Sequence, residues 1–142
     1  MNVIIRKPET QDIFGLIQLN DVLNGVGCTI ESVKNALENS TNEIVFCAVV
    51  DSVVVGFVCG IYWNSICYAG GHQGIITELI VHENYRRNGI AKKLIAALEA
   101  EFICVDVREI VIETPVSNDG GRKFYESVGY MGEKAMKYEK SL

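Results

Sequence analysis

The sequence has 142 residues, of which 49% are hydrophobic, and a formal net charge of −5 at pH 7. This length predicts a single domain, residues 1–142, and the composition argues against disorder. No apolar run reaches the roughly 20 residues of a membrane span, and residues 1–10 lack the apolar core of a secretory signal. The acidic balance disfavours nucleic acid as a partner. We therefore expect a cytoplasmic protein that binds neither membrane nor nucleic acid.

Cysteine and histidine usage argues against a disulfide framework and against a metal site. The five cysteines are scattered and form no C-x-x-C pair: Cys28, Cys47, Cys59, Cys67 and Cys104. This pattern predicts reduced, mostly buried thiols. The only histidines, His72 and His82, are too few for a histidine-based metal cluster, so no metal is expected.

Hydrophobic periodicity predicts the order of the elements. Strands are predicted at residues 2–6, 44–50, 53–62, 75–81 and 108–113, with a last hairpin from 130–131 and 135–139. Helices are predicted at 11–20, from 29 or 31 to 37, at 90–102, and from 120 or 121 to 127. Three antiparallel strands followed by one parallel crossover give an α/β (α+β) mixed sheet, unlike a doubly wound fold.

The stretch 74–102 is where chemistry is most expected. Its apolar strand leads into an amphipathic helix through four residues: Arg86, Arg87, Asn88 and Gly89. A helix start presents main-chain N–H groups without intrahelical partners, together with the positive end of the helix dipole. Between residues 86 and 93 there are four cations and no acid, although the chain as a whole is acidic. This junction predicts a site for a phosphate-bearing ligand held mostly by main-chain amides.

Two motifs carry a family resemblance. Arg86-x-x-Gly89-x-Ala91 resembles the acetyl-CoA pyrophosphate loop of the GNAT superfamily of N-acetyltransferases, Gln/Arg-x-x-Gly-x-Gly/Ala. The later segment Asn118-x-x-Gly121-x-x-Phe124-Tyr125-x-x-x-Gly129-Tyr130 matches the family pattern Asn-x-x-Ala-x-x-Leu/Phe-Tyr-x-x-x-Gly-Phe/Tyr. Together with the element order, the resemblance covers the whole chain.

The sequence departs from the family pattern at three positions. Glu83 stands where the family often has Pro, Arg87 where it often has Gly, and Gly121 where it usually has Ala. Glycine in the short helix costs up to about 1 kcal/mol of helix propensity. None of the three changes removes a group that the chemistry needs.

The resemblance implies a GNAT-like acyl-CoA acyltransferase fold, with a central mixed sheet, two splayed parallel strands and helices on both faces. It also implies acetyl-CoA as co-substrate, with pantetheine between the splayed strands and along the main chain of Leu79, Ile80 and Val81. A main-chain N–H near Leu79 or Ile80 would stabilise the oxyanion. The implied pyrophosphate-binding residues are Arg86, Arg87, Asn88, Gly89, Ile90 and Ala91. Asn118 would contact the pantetheine arm, or it would cap the short helix, a role that Asp119 could also take.

Amine acetylation needs a group that removes the ammonium proton and one that protonates the thiolate. Tyr125 matches the family's general acid and cofactor-contacting residue; the alternative is a core tyrosine. Glu78 is the favoured base, because apolar surroundings raise the pKa of a carboxylate towards a useful range. The alternative for Glu78 is a half-exposed residue that pairs with a neighbouring strand. The fallback bases are His72, Glu113 and Tyr68.

Two further residue types have their own interpretations. His82 follows the strand on the turn and is interpreted as a surface residue. Cys67 and Cys104 would suit a covalent acyl-enzyme, but no adjacent histidine supports one, so direct transfer in a ternary complex is favoured.

The expected function is N-acetyltransfer from acetyl-CoA to a primary amine, on a substrate that is expected to be cationic because the chain is acidic. The alternative is a non-catalytic CoA-binding regulatory module of the same fold. The acceptor pocket is expected from residues 19–29, the loop 63–71 and the last hairpin, but these do not identify the acceptor. Aminoglycosides, polyamines, amino acids and protein amino groups all stay open. The edge strands allow a homodimer.

Overall fold

The computed structural model of the protein describes residues 1–67 and 70–142. It contains two compact units, Met1–Ile112 and Glu113–Leu142. The elements of the first unit are, in chain order, β1 (Ile4–Arg6), a 3-10 turn (Thr10–Asp12), α1 (Ile13–Asn24), α2 (Ile30–Asn39), β2 (Glu43–Val50), β3 (Val53–Trp63), β4 (His72–Val81), a second 3-10 turn (Glu83–Tyr85), α3 (Ile90–Cys104) and β5 (Val107–Ile112). The second unit contains α4 (Asp119–Ser127). The single-domain organisation stays a prediction.

The sheet of the first unit has the strand order β1-β2-β3-β4-β5. The pairs from β1 to β4 are antiparallel, and β4 pairs with β5 in parallel after the α3 crossover. Asp51 and Ser52 join β2 to β3 with φ values of 47° and 66°, the left-handed conformation of a two-residue hairpin turn. The predicted mixed sheet is therefore confirmed.

Helix α3 covers one face of the sheet and packs closely on it. Its buried residues recur with the helical period: Ile90, Leu94, Ile95, Leu98 and Phe102. Glycines on the facing strands make this approach possible, since a Cβ at Gly60 would lie 2.5 Å from the Phe102 ring. A Cβ at Gly74 would lie 2.9 Å from Val107 and 3.3 Å from the same ring.

Helix α1 covers the other face. Its Leu16 and Leu19 join a buried cluster with Phe57 and Ile80 of the sheet. Asp12, the N-cap residue of α1, is buried and accepts hydrogen bonds from Arg6 of β1, one of them 3.1 Å long, and from the Glu9 main chain at 2.7 Å. Helices thus lie on both faces, as predicted.

Two sequence expectations are wrong. The last hairpin is absent, because residues 128–142, all of which the structure describes, contain no strand. Residues 131–142 are all exposed, so no buried apolar face holds a hairpin there. The thiols are not mostly buried, since Cys28, Cys67 and Cys104 are exposed.

The helix boundaries differ slightly from prediction. Helix α1 runs to Asn24, and Gly25 follows with a φ of 78° that ends it. Helix α2 starts after Thr29, whose hydroxyl accepts a hydrogen bond of 3.0 Å from the Ser32 N–H. None of the helices among residues 1–67 and 70–142 is long and apolar enough to cross a membrane.

Candidate functional site

The parallel strands β4 and β5 part midway along β4. Their pairing runs from His72 opposite Val107 to Ile76 opposite Ile112, whereas β4 continues to Val81. On its other edge, β4 stays paired with β3 as far as Val81, and a bulge places Thr77 outside the regular register. Five residues of β4, 77–81, therefore have no β5 partner, which confirms the predicted splay.

Main-chain polar groups point into this splay. The Ile80 carbonyl oxygen points to β3, because a Cβ at Gly56 would lie 2.9 Å from it, and the His82 N–H donates to the Val55 carbonyl of β3 at 2.8 Å. Alternation along an antiparallel strand directs the main-chain groups of Leu79 and Val81 to the opposite edge. Leu79 and Val81 thus present hydrogen-bonding groups there, while Ile80 is turned towards β3.

The turn after β4 is held in shape by its own side chains. The imidazole of His82 caps the turn by accepting a hydrogen bond of 3.2 Å from the Asn84 N–H. The Asn88 amide donates to the carbonyls of Tyr85, at 3.1 Å, and Arg86, at 3.0 Å. Arg86 donates from Nε to the Val81 carbonyl at 3.0 Å. His82 is exposed, as predicted, and Asn88 has a structural role in the turn.

The end of this turn and the start of α3 form an open main-chain cradle. Arg87 and Gly89 have φ values of 65° and 74°, in the left-handed region. Glycine adopts this conformation without strain, which gives a physical reason for the family's glycine at the Arg87 position. A Cβ added at Gly89 would meet no atom within 4 Å, so the space in front of it is open.

The cradle suits an anion. Among residues 1–67 and 70–142, the structure gives the N–H groups of residues 87–92 no hydrogen-bond acceptor; the first helical bond is from Lys93 to the Gly89 carbonyl, 3.1 Å. The side chains of Arg87, Lys92 and Lys93 are exposed around it. Unpaired amides, a helix N-terminus and three nearby cations together fit a diphosphate.

Glu78 lies in the splayed segment and is half-buried. It is directly opposite Cys59 of β3, so both side chains lie on the sheet face that α1 covers. Within the described residues, no group of three or more histidine, cysteine or acidic side chains is placed to hold a metal ion. The site in the first unit is therefore one of amides, cations and a single carboxylate on β4.

Sequence reasoning missed one acidic residue on the same sheet face as Glu78. Glu43 of β2 is half-buried, and its burial raises the pKa of its carboxyl group. Burial, and then the nearby carboxylates of Glu43 and Glu78, raise the pKa of the Cys59 thiol, so both acids lie near that thiol. The available signal was the in-phase spacing of Glu43, Val45 and Cys47, which puts an acid on an otherwise apolar strand face.

The second unit contains the other two predicted site residues, and Asn118 is the N-cap of α4. Its side-chain oxygen accepts from the Gly121 N–H at 3.0 Å, and its amide donates to the Thr114 hydroxyl at 3.0 Å. The predicted cap is confirmed, and it is Asn118 rather than Asp119 that forms it. A Cβ at Gly121 would overlap the Asn118 amide in its present position, so alanine there would require that side chain to shift.

Tyr125, on α4, is half-buried and packs edge-on against the rings of Phe124 and Tyr130, with centroids at 5.4 and 6.3 Å. Burial raises the pKa of its phenol above the ordinary value. A phenol in this environment stays protonated at neutral pH, as a proton donor must. Gly129, with a φ of 98°, ends the helix as predicted.

The fallback bases have different surroundings. The Nδ1 of His72 lies 2.7 Å from the Val105 carbonyl, which requires a proton on that nitrogen. His72 is six residues before Glu78 on β4, which is about 20 Å along an extended strand. Glu113, in the second unit, is exposed and lies 3.7 Å from Lys137. Tyr68 lies outside the described residues.

The chain belongs to the acetyltransferase (GNAT) family, whose sequence model matches residues 15–130. The predicted family and fold are thereby confirmed. The chain is 30% identical over 95 residues to human N-alpha-acetyltransferase 30, a match that covers 66% of this chain and 25% of the human protein. It therefore spans about a quarter of the length of that relative.

Two further proteins are similar over more of their length. "Acetyltransferase plu1384" of Photorhabdus laumondii is 30% identical over 128 residues, covering 89% of this chain and 83% of its own. The crystal structure of the aminoglycoside acetyltransferase meta-AAC0020, from an uncultured soil metagenomic sample, in complex with sisomicin superposes with a TM-score of 0.87. That likeness covers 99% of this chain and 96% of the other at 22% identity, and it shows the fold.

Proposed function

We propose that this chain transfers the acetyl group of acetyl-CoA to a primary amine, by direct attack of the amine in a ternary complex. The observation that carries the proposal is the splay of β4 from β5, which continues directly into the open amide cradle at the start of α3. An extended thioester arm fits along the free edge of β4, and a diphosphate fits the cradle. Family membership favours the same activity.

The proposed binding groups are mostly main-chain groups. The main chains of Leu79 and Val81 would pair with the pantetheine arm. Ile80 would lie between them without pairing itself, because its own carbonyl is turned to β3. The amides of Arg87, Asn88, Gly89, Ile90 and Ala91 would donate to the diphosphate. Arg87 would add a charge, whereas Arg86 already donates to Val81.

The co-substrate supplies an activated acetyl thioester, and the chain supplies the proton transfers and the charge stabilisation. The Leu79 N–H would donate to the thioester carbonyl oxygen as negative charge develops on it. Glu78 would accept the proton of the attacking amine. The new C–N bond forms as the C–S bond breaks, and Tyr125 would give its proton to the departing sulfur. Asn118, which already caps α4, would contact the pantetheine arm through its side-chain amide group.

The proposal is tested by measuring CoA release from acetyl-CoA with a panel of primary amines. CoA should be quantified by chromatography, because the exposed thiols of Cys28, Cys67 and Cys104 react with thiol reagents. We expect amine-dependent CoA release with a stoichiometric amount of acetylated amine. Tight acetyl-CoA binding with no release across the panel would contradict catalysis and favour the regulatory module.

The proton-transfer roles are tested by Glu78→Gln and Tyr125→Phe. Each should lower kcat by roughly 10²–10⁴-fold with little change in acetyl-CoA affinity. Matched controls are Glu109→Gln, an exposed strand acid, and Tyr138→Phe, an exposed tyrosine; both should leave kcat unchanged. Unchanged kcat in Tyr125→Phe or Glu78→Gln would remove that residue from the mechanism.

A further inference from the structure

A cavity of about 260 Å³ lies between helices α1 and α2 and strands β2 and β3. Its lining is mostly apolar, with Leu16 from α1, Leu37 from α2, and Val45 and Phe57 from the strands. Among the described residues that line it, Glu43 is the one charged side chain. A mostly apolar cavity with few polar groups is the usual form of a small-molecule site.

Helix α2 leaves room for a ligand because it does not pack on the sheet as α3 does. None of its ten residues is buried, although Val33 and Leu37 form an apolar stripe. Both residues line the cavity and are only half-buried. Leu37 packs against the buried cluster beneath α1, yet the stripe still borders the cavity, and an apolar group placed there would complete its burial.

Glu43 places an unmatched charge in this cavity. Its carboxylate has no hydrogen bond or ion pair with any residue in 1–67 or 70–142. A half-buried carboxylate in apolar surroundings is costly unless a cation pairs with it, and its burial raises its pKa accordingly. No cation among residues 1–67 and 70–142 pairs with Glu43, so a cation on a ligand would satisfy it.

One residue of the cavity lining, Cys59, is the strand partner of the proposed base. Cys59 lies directly opposite Glu78 on one side and Val45 on the other, so the three share one sheet face. The two carboxylates that influence the Cys59 thiol are Glu43 and Glu78. The thiol therefore lies between the proposed site of transfer and the cavity's carboxylate.

The two carboxylates belong to separate strands and are far enough apart for each to take its own cation. Glu78 and Glu43 are two strand spacings apart across the sheet, about 10 Å, and the register offsets them by two residues, about 7 Å. Their Cβ atoms are therefore roughly 12 Å apart. A ligand that pairs a separate cation with each carboxylate has two cations joined by a linker, and the apolar lining favours a linker of methylene groups over one that carries hydroxyls.

We propose that the acceptor of this chain is an alkyl diamine. Its reacting amine lies at Glu78, its methylene chain occupies the cavity beneath α2, and its second ammonium pairs with Glu43. The inference rests on the proposed acetyl transfer and specifies its substrate class.

The test compares 1,8-diaminooctane with octylamine as acceptors, since the two have the same chain and differ by one ammonium. We expect kcat/KM for the diamine to exceed that for octylamine by at least about tenfold, the effect of one charged hydrogen bond in a partly buried site. Glu43→Gln should abolish this preference by lowering kcat/KM for the diamine. The control Glu38→Gln removes an exposed acid of α2 and should preserve the preference.

A second variant probes the space itself. Val45→Phe fills the cavity floor and should raise KM for both amines, with thermal unfolding used to confirm that the variant folds. Equal kcat/KM for the two amines in the wild type would indicate an apolar monoamine and overturn the inference. An unchanged preference in Glu43→Gln would also overturn it, as would efficient acetylation of an aminoglycoside with no turnover of either alkyl amine.

The failure of this inference is distinguishable from failure of the proposed function. If no amine is acetylated, calorimetric binding of 1,8-diaminooctane to wild type and to Glu43→Gln still tests the cavity. Glu43-dependent binding without turnover would refute acetyl transfer and support the ligand class. Turnover of other amines with no diamine binding would support the transfer and refute the ligand class.

Discussion

On one face of the sheet, α3 buries five side chains, whereas α2 on the other face buries none. The same strands contribute to both. Glycines at positions 60 and 74 let α3 approach closely, while Glu43, Val45 and Cys59 look into a cavity on the opposite face. The difference indicates that α3 packs closely on the sheet, whereas α2, beside the buried cluster of α1, leaves the space proposed for the acceptor.

The largest expected effect comes from truncating a fully buried side chain of α3. Phe102 is fully buried, so Phe102→Ala should lower the free energy of unfolding by about 3–5 kcal/mol. The measurement is a urea titration of the isolated protein, with the midpoint and slope compared with wild type. A loss below about 1 kcal/mol would mean that the α3 face does not dominate stability.

The next effect concerns the α3 N-terminus as a ligand site. Gly89→Val introduces a β-branched side chain at a φ of 74° and covers the open amides. We expect acetyl-CoA affinity to fall by at least about tenfold, because main-chain donors to the diphosphate become inaccessible. Calorimetric titration with acetyl-CoA measures this.

A matched variant separates amide access from charge. Arg87→Gly removes a cation at a φ of 65° but relieves left-handed strain and keeps the amides open. Its loss of affinity should be smaller than that of Gly89→Val. The reverse order would show that charge, not the cradle, holds the ligand.

On the α1/α2 face, the buried carboxylate of Asp12 holds the start of α1, whereas α3 is held by apolar side chains. Burial by itself would raise the pKa of Asp12. The hydrogen bonds from Arg6 and the Glu9 main chain lower the pKa by more than burial raises it, so the net pKa lies below the ordinary value. This carboxylate therefore adds stability above its unfolded pKa of about 3.9, and the contribution is lost as pH falls through the lower folded pKa.

Asp12→Asn should accordingly lose about 1–3 kcal/mol at pH 7. The gap from wild type should begin to narrow below about pH 4, where Asp12 of the unfolded chain takes up a proton, and should close as pH falls through the lower folded pKa. Urea titrations of both proteins across this pH range test it. A gap that is the same at pH 7 and at pH 3 would show that the charge of Asp12 contributes nothing.

The smallest effect is expected beneath α2. Leu37 is half-buried beside the cavity, so Leu37→Ala should cost less than about 1 kcal/mol. Urea titration next to Phe102→Ala gives the direct contrast between the faces. Equal costs for the two variants would contradict the proposed division between a packed face and an open one.

Local pattern was enough to predict most of this fold. The four-residue recurrence from Ile90 to Phe102 and the polar turn before it fixed α3, since a helix with one apolar stripe must bury it. The predicted splay follows from the family motifs rather than from periodicity. The predicted final hairpin failed because alternation over a few residues does not by itself provide a buried face.

The acceptor side was harder to predict because it depends on contacts between distant segments. Glu43 looks like an ordinary polar residue at the start of a strand, and only its register through Val45 and Cys59 shows that it shares a sheet face with Glu78. The loose packing of α2 on the sheet could likewise not be predicted, since Val33 and Leu37 form a normal amphipathic stripe. The roles of Glu78, Tyr125 and the amide cradle stay predictions.

Hydrogen–deuterium exchange with and without acetyl-CoA tests the central claim most directly. We predict that acetyl-CoA slows exchange of the Leu79 and Val81 amides and of those at 87–91, while the Ile80 amide, on the strand edge that faces β3, changes little. Unchanged exchange at 79, 81 and 87–91 under saturating acetyl-CoA would contradict the account.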